Sequence, residues 1–250
     1  MKNVQLLIPM AGLGSRFVSK GYSVPKPLLP IGRFRMIQVV LDNLLSSHVE
    51  CVTLIISRQI ADSCNFEELL KDYDLLFEII QIDEITQGPA STCSLSRNNL
   101  NMDLPLVIAN SDQFLDIDIK HEYTKWFESD ADGVIWAMED SSNKWSYVKT
   151  DLNGHATEVR EKEVISNLAT CGVYAFSKAN DFFDSYDEMV SKDDRTNGEF
   201  YVAPTYNYLI DKGKKILVRN LGATSNIMHG LGVPDDYEKF ISSTVSDRFR

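Results

Sequence analysis

The chain has 250 residues, 44% of them hydrophobic and 24% charged, with a formal net charge of −11. That length and composition suffice for one full-sized core. The acidic balance excludes binding nucleic acid through a general basic surface, which rests on many Lys/Arg contacts to phosphate, so phosphate chemistry has to be local, carried by a few cations in one pocket.

No linker, low-complexity tract or internal repeat interrupts the sequence, so residues 1–250 read as a single domain. Residues 4–10 form an apolar run ending in Ala11-Gly12, the pattern of a buried parallel strand running into a loop. The run is too short to span a bilayer, and no membrane partner is expected. Residues 36–45 carry apolar positions at helical spacing, and 52–56 is β-branched and apolar. Apolar runs at 77–82 and 106–109 follow, with a helix predicted over 90–100 between them. Alternation of this kind implies a mostly parallel sheet covered by helices on both faces. The second half changes character: 147–150 and 156–160 flank Asn153-Gly154, a hairpin signal. A strand at 171–176, helices at 179–190 and 202–212, a strand at 216–218 and a last helix at 235–243 complete the chain. The expectation is an α/β core with mixed or antiparallel additions, whose ligands sit outside the carboxyl ends of the parallel strands. Cys51, Cys64, Cys93 and Cys171 form no CxxC pair, which suits free thiols in a cytoplasmic protein rather than a zinc or redox motif.

The informative stretch is Pro9-Met10-Ala11-Gly12-Leu13-Gly14-Ser15-Arg16, followed by Pro25-Lys26-Pro27. Gly12 and Gly14 remove side chains, so successive backbone N–H groups can wrap an anionic oxygen. Arg16 offers a charged fork suited to phosphate. Lys26 lies between two prolines, which stiffen the segment and push Lys26 toward an extended conformation. Neither a dinucleotide GxGxxG nor a GxxxxGK[ST] loop is present, because position 17 is Phe17.

Gly12-Leu13-Gly14-Ser15-Arg16 followed by Pro25-Lys26-Pro27 resembles the signature of the sugar-1-phosphate nucleotidyltransferases and their cytidylyltransferase relatives, and further motifs continue the likeness along most of the chain. The resemblance implies a Rossmann-like, glycosyltransferase-A-like fold with a mixed, mostly parallel central sheet flanked by helices. It implies a nucleotide site built from Ala11, Gly12, Leu13, Gly14, Ser15, Gln87, Gly88 and Ser111, with Arg16 and Lys26 acting on the phosphates. Gln87-Gly88-Pro89 is similar to the loop beside the nucleobase, where an amide can both donate and accept. Asp112, in Asn110-Ser111-Asp112, is similar in position to the metal-binding aspartate, and a hard carboxylate suits Mg²⁺. Glu161 and Lys162 resemble residues that hold the acceptor, and Gly172 a position lining its pocket.

One departure stands out. The sugar-transferring members carry a second metal-binding aspartate after a Gly-Glu segment, whereas Gly198-Glu199 here runs on to Pro204 without one. Asp235, beside Asp236 in Gly232-Val233-Pro234-Asp235-Asp236, is the candidate replacement. The implied reaction passes a nucleoside monophosphate from a nucleoside triphosphate to a small phosphorylated acceptor of the sugar 1-phosphate class, with release of pyrophosphate, as in supply of precursors for surface polysaccharide. A cytidylyltransferase acting on a phosphorylated polyol, choline or amino-acid amide is the alternative within the family. A nucleotide-binding regulatory module without turnover is the alternative outside it. A glycosyltransferase is disfavoured, because Asp116-Ile117-Asp118 follows no strand recognisable in the sequence. Family members form dimers or tetramers, which leaves a homo-oligomer open. No histidine is assigned to catalysis; His229 is placed to meet an acceptor should its segment close over the pocket.

Overall fold

A computed structural model describes residues 3–250. In chain order β1 (Val4–Pro9), α1 (Ser15–Ser19), β2 (Pro30–Ile31), β3 (Phe34–Arg35), α2 (Met36–Leu44), β4 (Val49–Ser57), α3 (Arg58–Ser63), α4 (Phe66–Leu70) and β5 (Leu76–Ile82) make the first half of the sheet and one covering layer. Then follow α5 (Pro89–Ser94), β6 (Leu106–Ala109), β7 (Gln113–Leu115), α6 (Ile119–Glu128), β8 (Gly133–Glu139), β9 (Ser146–Thr150), β10 (Ala156–Glu161) and β11 (Leu168–Phe176). The chain ends with α7 (Ala179–Ser191), α8 (Thr205–Asp211), β12 (Ile216–Ala223), α9 (Thr224–Ile227), β13 (Met228–Gly230) and α10 (Pro234–Ile241).

The large sheet has the order β10-β9-β11-β6-β1-β4-β5, with β8 between β11 and β12 off that path. Strands β6, β1, β4 and β5 are parallel, whereas β11 runs antiparallel to both β6 and β8. This is the mixed, mostly parallel sheet flanked by helices that the sequence predicts. Alternation along the central strands divides the core in two. Leu6, Ile8, Leu54 and Val107 pack with Ile37, Val40 and Leu41 of α2, while Leu7, Ile55 and Ile108 pack with Cys93 of α5 and Phe182 of α7. Both faces are therefore dry, which is why β1 and β6 are apolar almost throughout.

From β1 the chain builds outward to β4 and β5, then returns to the other side of β1 as β6. The reversal leaves a crevice at the carboxyl ends of β1 and β6, where ligands of open α/β sheets bind. Residues 9–12 and 110–112 border it.

Several predicted elements shift. The helix expected over 90–100 stops at Ser94 and resumes only as a 3₁₀ turn at Arg97–Asn99. The hydroxyls of Ser94 and Ser96 donate to the carbonyls of Ser91 and Cys93, competing with the next helical turn. The helix expected from 202 begins at Thr205, because Pro204 disfavours helical geometry at Ala203. Helix α6, capped by Asp118 accepting from the His121 N–H at 3.0 Å, and strands β7, β8 and β13 were not read from the sequence. Strand β7 precedes Asp116-Ile117-Asp118 after all, but Asp116 pairs with Arg248 and Asp118 caps α6, so both carboxylates have structural work. Cys93 and Cys171 are buried, and all four cysteines are free. No helix among the described residues is long and apolar enough to cross a membrane.

Candidate functional site

The crevice opens into a cavity of about 310 Å³ lined by Pro9 to Gly12, Lys26, Thr86, Gly88, Thr92, Asn110 to Asp112 and Glu199, with Ile82, Ile85 and Pro89 completing an apolar side. Its size and mixed lining suit a small polar ligand with one flat apolar part.

The loop after β1 turns at Gly14, whose φ of 58° places it in the left-handed region just before α1. A Cβ there would lie 3.2 Å from that of Lys26, so a small residue lets the Pro-Lys-Pro segment lie against the loop. Lys26 reaches the carboxyl end of β6, where its Nζ donates to Asp112 Oδ2 at 2.6 Å. Both side chains are mostly shielded, 16% and 27% exposed, which strengthens a charge pair relative to one in open water. Asp112 faces Gly232, whose missing side chain leaves room for the carboxylate: a Cβ would stand 2.7 Å from Oδ2. The Leu231 N–H donates to the Asp112 carbonyl at 2.8 Å and ties the late segment to this strand end.

Gly88 forms the opposite wall. Its φ of 124° and the backbone of Phe200, which would lie 2.5 and 2.7 Å from a Cβ, admit only glycine. Hydrogen bonds from Phe200 N to Gln87 O and from Ala90 N to Phe200 O fasten this loop to residues 199–201. Glu199 is thereby brought to the cavity.

The residues expected on the nucleotide side divide. Ala11, Gly12, Gly88 and Ser111 line the cavity together with Lys26 and Asp112. Leu13, Ser15 and Arg16 are exposed on the loop and first turn of α1, outside the lining, and Arg16 has no carboxylate within ion-pair distance among the described residues. The Gln87 side chain lies outside this lining: its amide oxygen accepts from Arg195 Nη2 at 2.6 Å and faces a separate surface depression. Asp235 lies apart from the cavity as well. It lies in the first turn of α10, 79% exposed and paired with Lys20, and does not approach Asp112.

On the acceptor side, Glu161 ends β10 with its carboxylate 8% exposed, accepting from the Ser146 hydroxyl. Burial raises its carboxyl above the ordinary value, partly opposed by Ser146 and Lys162. Lys162 takes a left-handed φ of 57°, uncommon for a lysine. Its Nζ lies 2.6 Å from the Tyr201 hydroxyl, which donates to Glu199 Oε2 at 2.6 Å. A polar chain thus runs from Lys162 to the cavity wall. Gly172 packs directly against the Asn110 amide and Gln113, where β11 shifts register between Thr170 and Tyr174, and it does not border the cavity. Thr86 and Thr92 carried no signal in the sequence, whereas Glu199, Gln113 and Gly232 stood within recognised motifs without being assigned a role of their own.

Asp112 provides a hard carboxylate in the cavity lining and is the residue that could hold a divalent cation, in exchange for its present Lys26 partner. No cluster of three or more His, Cys, Asp or Glu side chains suited to a metal occurs among the described residues.

A glycine loop at the end of a central strand, a lysine from a proline-bounded segment and an aspartate from the neighbouring strand meet at the switch point of an α/β protein of the doubly wound class. Residues 6–215 match the family model described as nucleotidyl transferase, and the chain belongs to that family, in agreement with the sugar-1-phosphate nucleotidyltransferase signature of its motifs. A glucose-1-phosphate adenylyltransferase of Bacillus mycoides is 26% identical over 228 residues, covering 82% of this chain. The chain spans 59% of the length of that relative. The nucleoside-diphosphate-sugar pyrophosphorylase of Vibrio cholerae superposes with a TM-score of 0.79 at 25% identity, over 95% of this chain and all of the other. The inositol-1-phosphate CTP transferase of T. maritima shares the fold, with a TM-score of 0.76 at 16% identity over 100% of this chain and 96% of the other.

Proposed function

We propose that the chain transfers a nucleoside monophosphate from a nucleoside triphosphate to a phosphorylated acceptor of the sugar 1-phosphate class, releasing pyrophosphate. The observation that carries the reading is the Lys26–Asp112 pair at 2.6 Å, set at the crevice between β1 and β6 beside the glycine loop. The relatives' names support the acceptor class. Activated precursors for surface polysaccharide, made in the cytoplasm, are the use proposed for the product.

In the reaction an oxygen of the acceptor phosphate attacks the α-phosphorus in line. A new P–O–P bond forms, the bond between the α-phosphorus and its β-bridging oxygen breaks, and pyrophosphate leaves with that electron pair. The attacking phosphate is already anionic at neutral pH, so no general base is needed. Two unit charges about 4 Å apart repel by roughly 4 kcal/mol at an effective dielectric near 20, and the site must offset that repulsion. Lys26 supplies a fixed positive charge, and the backbone of Ala11 to Gly14 supplies oriented N–H donors. Asp112 would hold Mg²⁺, which would supply charge neutralisation when bound. Thr86, Gly88 and Thr92 shape the wall for the nucleoside, while Glu161 and Lys162 hold the acceptor. Catalysis is then mainly positioning and electrostatic stabilisation.

A matrix of common nucleoside triphosphates against phosphorylated acceptors, scored by pyrophosphate release with Mg²⁺, tests the reading. Lys26→Ala and Asp112→Asn are expected to lower kcat by about 10²- to 10³-fold while the fold is kept. Silence across the whole matrix, or full turnover in either variant, would overturn the reading.

A further inference from the structure

A second cavity, also of about 310 Å³, lies between β13, α10 and the turn before β9, and shares no lining residue with the first. Lys144, Trp145, His229, Gly230, Asp236 and Lys239 contribute its functional lining. Every lysine among the described residues has a carboxylate within 4.0 Å except Lys120, Lys144 and Lys239. In a chain with 36 acidic residues and a net charge of −11, two of these three unpaired ammonium groups meet at one cavity. Lys144 lies over the Trp145 ring at 4.5 Å, which holds its charge without neutralising it. Asp236 approaches the Gly230 end, where a Cβ on Gly230 would stand 3.1 Å from its Oδ2. The cavity therefore carries two exposed lysines against one carboxylate, an excess of positive charge gathered at one recess.

Its position relates it to the acceptor. The Trp145 carbonyl accepts from the Lys162 N–H at 2.9 Å, so one wall is continuous with the acceptor segment. Gly230 pairs with Gln113 across β13 and β7, and the next residue, Leu231, bonds to the Asp112 backbone. The recess thus borders both the acceptor segment and the metal-side strand end.

We infer that this second cavity receives a second anionic group of the acceptor, a carboxylate or phosphate remote from the reacting phosphate, held by Lys144 and Lys239 beside Trp145. This inference rests on the nucleotidyl-transfer reading and narrows its substrate class from neutral sugar phosphates to acceptors charged at both ends. The alternative source of the anion, a free effector, is separated by the test.

Isothermal titration compares glucose 1-phosphate, glucuronic acid 1-phosphate, glucose 1,6-bisphosphate and inorganic phosphate on the full chain, in parallel with turnover of the three organic acceptors. The doubly charged acceptors are expected to bind roughly tenfold more tightly than glucose 1-phosphate, the scale of one charge-assisted contact. Lys144→Ala and Lys239→Ala should each collapse that preference toward one, and Lys239→Arg should restore most of it. Selective binding without turnover would sink the catalytic reading and leave the cavity assignment standing. Equal or absent binding of the charged probes overturns the assignment, as does a preference insensitive to both lysines. Inorganic phosphate binding that depends on both lysines but does not compete with the acceptor would mark an effector site and overturn it equally.

Discussion

Replacing Gly232 by alanine separates the placement of Asp112 from the stability of the fold. Gly232 is not among the left-handed glycines, so alanine brings no left-handed backbone strain there. The added Cβ, however, would stand 2.7 Å from Asp112 Oδ2 and 3.3 Å from Cγ, where ordinary contact begins near 3.4 Å. The carboxylate has to retreat by about 0.7 Å, and the 2.6 Å bond to Lys26 lengthens or rotates with it. A misplacement of about 1 Å at a reacting centre costs on the order of 10²-fold, so kcat should fall by roughly 10- to 100-fold. Stability should change little. The displaced group is a partly exposed side chain, and exchanging glycine for alanine restricts the unfolded chain by about 0.4–1 kcal/mol in the opposite direction. Pyrophosphate release at saturating substrates, paired with a thermal melt, reads both effects. Wild-type kcat with the Lys26–Asp112 pair intact in the variant's crystal structure would refute the reasoning, and so would a collapse in stability.

Gly88→Ala should behave oppositely. The glycine-only conformation and the loss of two backbone bonds to Phe200 together cost about 3 kcal/mol, read as an earlier urea midpoint, and an unchanged midpoint would contradict the packing described. Arg219→Ala tests the inner network around Glu122, a 6% exposed residue that accepts from Arg219 and Trp136. Burial would raise the Glu122 carboxyl, but those hydrogen bonds and the arginine charge hold it below its ordinary value of 4.5. A lowered folded value means that the contribution is present above pH 4.5 and lost as pH falls through the folded value. The variant should therefore lose about 2 kcal/mol at neutral pH, a figure reduced because Arg219 is 34% exposed, and the deficit should narrow below pH 4.5. Urea titrations at pH 7 and pH 4 measure this, and a deficit independent of pH would contradict the assignment.

The local sequence determined the parts of this protein that depend on chemistry carried within a few residues. Residues 4–10 are apolar without alternation because β1 is dry on both faces, and Gly12, Gly14 and Lys26 suggested a phosphate loop because small residues free the backbone N–H groups and flanking prolines stiffen the lysine. Asp112 was singled out by its resemblance in position to the family's aspartate after a predicted strand, and the structure places it in the cavity lining beside Lys26. Helix and strand ends were less legible, since the serine hydroxyls that stop α5 compete for carbonyls only once the turn exists.

Tertiary structure decided which charges meet. Asp235 and Asp236 are adjacent in sequence, yet α10 turns the first outward to Lys20 and the second toward Gly230. Gln87, expected at the nucleobase, is drawn away by Arg195, while Glu199 reaches the cavity because the backbone at Phe200 zips onto Gly88. Lys144 and Lys239 share a recess though they lie on opposite sides of β10 to β13 in the chain. Spacing along one element follows from its 3.6- or 2-residue period, but such meetings depend on strand order and register over the whole sheet. The loop after β1 was therefore written locally, whereas the walls around it exist only once distant strands have packed.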